Sequence, residues 1–231
     1  MSVPESTSPQ RRRVRRGALA FACAGILFVI YEAAAPRVGD QTSLEAARSW
    51  TTSGWSVAHI AAIIGLILIP LGYGALRGYL DGTSTENTAA VAATIGYIGS
   101  ALTISYYGAE VYGLTAIGQR AVADGDATLA EVGNAFRNDS TAIAVFVIGL
   151  ALVAATAVLA AVAVWRSGTL HRWSGVPLAA LLVTMLPQYF LPHAGRIAWG
   201  ALVAVAALWL ASEMWRSTPV DLENAGSSAT T

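Results

Sequence analysis

Few side chains in this sequence are placed to do chemistry away from bulk water, and most are carboxylates or histidines inside apolar stretches. Glu110 is the most conspicuous. It lies in the apolar run 94–118, TIGYIGSALTISYYGAEVYGLTAIG, beside Tyr106, Tyr107 and Tyr112. An ionisable group at membrane depth costs at least about 2.5 kcal/mol and usually faces a cavity or a partner. Helical spacing puts Thr103, Tyr106, Glu110 and Gly113 on one stripe, so Tyr106 is expected to donate a hydrogen bond to Glu110. His59 or Arg196 is the cation expected to hold the carboxylate.

The other candidates sort by depth. At about 1.5 Å per residue, Glu110 lies about 12 Å below the outer end of its helix. Glu32 falls near the outer end of the first span and His59 one turn inside the second. Asp139 opens the fourth span, and Gln188, Tyr189 and His193 stand at the outer end of the fifth. The opposite half of each span is nearly pure Ala, Val, Leu and Ile. The pattern predicts a polar pocket opening to the extracytoplasmic side and floored by Glu110, with Tyr106, His59, His193, Gln188 and Glu32 as its other ligand-binding residues. Each also has a plainer role: Glu110 as a carboxyl that fixes helix register, His59 and His193 as interfacial or loop residues, Glu32 reaching the interface, and the aromatics as an interface belt.

Several chemistries are absent from the pattern. All fourteen basic residues are Arg, so no lysine is present to form a Schiff base. Cys23 is the single cysteine and forms no intrachain disulfide. Ser105 lies near Glu110, but no histidine is positioned in sequence as its base. Asp124-Gly125-Asp126 lacks the glycine position and the bidentate Glu of a calcium loop. Neither HExxH nor CxxCH occurs. Cofactor and metal are left unassigned.

The elements that position these groups follow from composition. The chain is 55% apolar and 12% charged, against about 25% charged in soluble domains. Several runs exceed the roughly 18 residues needed to cross a bilayer. Fold class is therefore all-α: a polytopic membrane protein, a bundle of six transmembrane helices with two short surface helices. The expected spans are 17–35, 55–76, 88–118, 140–165, 175–192 and 196–215. The first is read as a retained helix rather than a cleaved signal peptide, because Pro36 follows Ala33-Ala34-Ala35 and more apolar spans come after it. The surface helices are 43–50, with a Thr42/Glu45 capping box and Trp50 and Trp55 at headgroup level, and 127–137. Pro70 and Pro187 are expected to interrupt their helices. Ala92, Gly96 and Ser100 form a small-residue packing ridge.

Three domains result: a basic cytoplasmic N-terminus without fixed structure at 1–16, the membrane domain at 17–216, and a loose cytoplasmic tail at 217–231. Nine arginines on the N-terminal side against five on the other orient the chain, placing both termini in the cytoplasm of a plasma-membrane protein. The expected partner is the lipid bilayer, with a second copy of the chain as a candidate. Zero net charge and a single basic cluster argue against nucleic acid. The leading function is binding or transport of a small polar molecule, ion or lipid headgroup, more in keeping with a non-enzyme. The alternatives are a haem or metal oxidoreductase subunit using His59 and His193, and a structural subunit contacting partners through its surface helices.

Overall fold

The computed structural model describes residues 9–217; residues 1–8 and 218–231, the ends expected to lack fixed structure, lie outside the described residues. All regular structure among the described residues is helical. The long helices are α1 (Pro9–Ala34), α3 (Ser53–Tyr79), α4 (Glu86–Ala109), α7 (Ser140–Ser167) and α9 (His193–Arg216). Between them lie α2 (Leu44–Trp50), α5 (Thr115–Asp124), α6 (Thr128–Arg137) and α8 (Val176–Val183). A π turn at Glu110–Leu114 fuses α4 to α5, and a 3-10 turn at Pro187–Phe190 follows α8. Five helices are long and apolar enough to cross a membrane: α1, α3, the fused α4–α5, α7 and α9.

The expected fifth span, 175–192, is not one regular helix. Pro187 has no N–H, and its ring crowds the carbonyl four residues back, which belongs to Val183, the last residue of α8. Thr184 closes the end by donating its Oγ1 to the carbonyls of Ala180 and Leu181. By contrast α3 runs unbroken through Pro70, so of the two prolines only Pro187 ends a helix.

The N-terminal segment also departs from expectation. Residues 9–16, read as loose, form the first turns of α1. Val14 is fully buried, Gln10 donates to the Gly78 carbonyl, and the Arg15 guanidinium stacks 4.9 Å from the Trp215 ring. Arginine stems cover apolar surface while their heads stay solvated, so the basic run extends the helix instead of melting it.

The six segments close into a ring: α1 packs on α3 and α9, α3 on α4, α4 on α7, and α8 bridges α7 and α9. The α4–α7 contact depends on absent side chains. A Cβ at Gly149 would lie 2.8 Å from the Thr103 amide nitrogen, and one at Gly99 would lie 2.9 Å from the Val153 nitrogen. Ala92, Gly96 and Ser100 are buried on the same helix, as the packing ridge predicts.

The helices α2, α5 and α6 form a cap over one end of the ring, centred on Trp50. Trp50 is fully buried and Trp55 is 5% exposed, so both rings are covered by protein. Gly133 and Gly118 leave the space that the Trp50 side chain fills. Ser43, not the Thr42/Glu45 pair, caps α2 by accepting the Ala46 amide; Thr42 turns back to Asp40.

Candidate functional site

Thr52 caps α3 by accepting the Trp55 amide, which fixes the first turn of that helix under the cap. One turn on, His59 is held by its own helix: Nδ1 lies 2.9 Å from the Trp55 carbonyl, and the two rings stack at 3.9 Å between centroids. Opposite stands Glu110, at the first position of the π turn. Such a turn inserts one residue into the helical ladder, re-aims the side chains that follow, and recurs at functional sites. Glu110 is 4% exposed, with Oε2 3.2 Å from His59 Nε2 and Oε1 accepting Arg137 Nε at 2.8 Å.

The donor count at this pair has a chemical consequence. A carbonyl only accepts, so the His59 Nδ1 facing Trp55 carries a hydrogen. Its Nε2 faces Glu110 Oε2 at 3.2 Å, so the two side chains are joined by a hydrogen bond in a buried place.

Arg137 ends α6, where a cation also favours the helix dipole. Its Nη1 donates to Gln41 Oε1 at 2.7 Å. Burial lowers the affinity of its guanidinium for a proton, but Glu110 and Tyr106 together outweigh this and hold it above its ordinary value. Tyr106 does not donate to Glu110 as expected. Its hydroxyl donates to the Arg137 carbonyl at 3.0 Å, because two charge-capable partners already occupy the carboxylate. Nor does Arg196 reach Glu110.

Arg196 instead clamps Glu32, which is fully buried: Nε donates at 2.8 Å and Nη2 at 3.3 Å. Arg37 adds a donor from Nη2 at 3.0 Å to the same carboxylate. Burial first, and then repulsion from Arg196, hold the Arg37 guanidinium below its ordinary value. The Arg196 guanidinium lies 4.9 Å from the Tyr189 ring centroid, and the Tyr189 hydroxyl bonds that of Tyr107, which donates to Tyr31 at 3.1 Å.

These groups surround a cavity of about 530 Å³. It reaches from Gln41 and Asn138, in the connections at the capped end, to Tyr31 and Tyr107 within the ring. Of the expected site residues, Glu110, His59 and Tyr106 line it. Glu32 does not; it stands behind the arginines it anchors. Gln188 is 1% exposed and off the lining, with neither carboxamide atom hydrogen-bonded. His193 is exposed at the first position of α9, away from the lining, so it does not converge with His59. His59 has both ring nitrogens engaged, and among the described residues no three His, Cys, Asp or Glu side chains gather as a metal site. Asp139 caps α7 and lines a separate cavity of about 310 Å³ on the far side of Glu110 and Arg137.

No protein-family model, curated protein or solved structure matches this chain. The site is therefore described by its own chemistry. Arg37, Arg137 and Gln41 were absent from the expected set. The only sequence signal for the two arginines was their position within a few residues of span ends that also carry acids, Glu32 for Arg37 and Asp139 for Arg137.

Proposed function

We propose that this chain is a six-crossing membrane protein whose cavity binds a small polar solute from the extracytoplasmic side. The observation that carries the reading is the gathering of the buried ion pairs at one end of the bundle, around a cavity of about 530 Å³. That volume falls within the roughly 300–1,000 Å³ of small-molecule sites. Ionisable groups at membrane depth normally face such a space.

The sixth crossing is supported by the path of 175–192. A Cβ at Gly175 would lie 3.1 Å from Ala161, whereas Tyr189 meets the Phe146 ring at 6.1 Å. Phe146 and Ala161 are about 22 Å apart along α7 at its helical rise, so α8 and its 3-10 turn cover most of a bilayer core. Irregular backbone at that depth is tolerated where protein or a cavity covers it. The arginine-rich start of α1 lies at the end opposite the cavity, which under the positive-inside rule puts that end in the cytoplasm.

The test is thiol labelling in intact cells, on a Cys23→Ala background. Asn138→Cys and Asn134→Cys, at the mouth and wall of the cavity, are expected to react with a small membrane-impermeant reagent. Ser84→Cys, at the opposite end, is expected to react only after permeabilisation. The reverse pattern overturns the orientation, and an unreactive 134 overturns the hydrated cavity.

A further inference from the structure

The ionisable groups of the cavity do not balance. Arg37, Arg137, Arg196, His59 and Glu110 line it, and Glu32 is the carboxylate behind them. Three guanidiniums therefore face two carboxylates, an excess of one positive charge. Asp139 does not redress this, since it lies across Glu110 and Arg137 from the cavity and caps α7 with its Oδ1.

The carboxylates are also occupied. Glu110 has one oxygen on Arg137 and the other on His59, and Glu32 has both on Arg196 with Arg37 added. Glu32 lies behind the lining, and Glu110 meets the cavity with each oxygen already hydrogen-bonded. The cations are less fully engaged. Arg37 donates from Nη2 alone, and its side chain is 35% exposed. The Arg137 side chain is 26% exposed and held in place through Glu110 and Gln41. The guanidiniums are pre-set by buried partners, so little side-chain freedom remains to be lost on binding. Around these cations the walls are aromatic: Trp55, Tyr106, Phe146 and Tyr189.

We infer that the cavity takes a small organic carboxylate with a flat apolar body, whose charge contacts are Arg37 and Arg137. Glu32 and Glu110 are positioning residues that hold those guanidiniums, and Glu110 does not touch the ligand. A guanidinium fork matches a carboxylate with two parallel hydrogen bonds, and aromatic walls match a planar body. This inference rests on the solute-cavity reading and assigns the charge and class of its ligand.

The experiment titrates the purified full chain with benzoate, benzamide, benzamidinium and inorganic phosphate, following heat of binding. The first three share one shape and carry charges of about −1, 0 and +1. Benzoate is expected to bind at least about tenfold more tightly than benzamide, as hydrogen bonds to a charged group imply. Benzamidinium is expected not to bind. Arg37→Gln is expected to weaken benzoate by about tenfold or more. Asn134→Asp, which adds a negative charge to the lining without removing a buried ion pair, is expected to weaken it as well, and keeps the test decisive if Arg37→Gln does not fold. The inference is overturned if benzamide or benzamidinium binds as well as benzoate, if phosphate binds better, if both variants leave benzoate unchanged, or if none of the four binds. Thiol access at position 134 decides the cavity reading separately.

Discussion

Replacing Glu110 by Ala and by Gln separates a buried, shared carboxylate from a solvated one. In the structure Glu110 is 4% exposed and joins Arg137 at 2.8 Å to His59 at 3.2 Å. Glu110→Ala removes both acceptors and leaves the Arg137 guanidinium without its carboxylate. Breaking a buried pair by deleting one partner costs about 3–5 kcal/mol. Glu110→Gln keeps the shape. Its carbonyl oxygen still accepts from Arg137, and its amide nitrogen can donate to the lone pair of a neutral His59 whose Nδ1–H remains on Trp55. The Arg137 bond keeps its ionised donor but loses the ionised acceptor, and the His59 bond becomes neutral, so the loss falls to about 1–2 kcal/mol. Equilibrium unfolding by sodium dodecyl sulfate in mixed micelles measures both, with Arg137→Ala and the double variant completing a cycle. A coupling energy above about 1 kcal/mol is expected for residues in direct contact. The reasoning is refuted if Ala and Gln cost the same, or if both cost less than about 0.5 kcal/mol, the range of ordinary surface substitutions.

Two further substitutions probe how the site is held. Glu32→Ala strands Arg196, whose side chain is 7% exposed, and is expected to cost about 3–5 kcal/mol. Adding Arg196→Met should recover a large part of that loss in the same unfolding assay. Gly149→Val pushes side-chain atoms into the Thr103 backbone, 2.8 Å from where its Cβ would sit. It is expected to destabilise by about 1–3 kcal/mol or more through overpacking, whereas Leu202→Val, on a residue 56% exposed, should stay within about 0.5 kcal/mol.

Much of this was legible in the chain itself. Apolar runs longer than a bilayer needs fixed the long helices, and a cluster of arginines at one end fixed the expected orientation. Glu110, His59 and Tyr106 were legible as cavity residues because each is costly or unusual where it stands. A break at Pro187 was legible too, since a proline acts on the carbonyl four residues before it whatever surrounds it; the stop at Val183 was not. His193 and Gln188 fall off the cavity lining, because depth along a span says nothing about rotation around it.

Pairing was beyond reach. Local spacing offered Tyr106 to Glu110, one turn away, yet the carboxylate took its partners from positions 51 and 27 residues distant. Glu32 found Arg196 across 164 residues. A buried charge goes to whichever opposite charge the packed helices bring nearest, and that depends on ring order, on the glycine contacts that set helix separation, and on a π turn that no periodicity announces. Sequence thus determined which residues had to be accounted for inside the helical bundle. Tertiary structure alone decided that their carboxylates are occupied and that the cavity they surround is left positive.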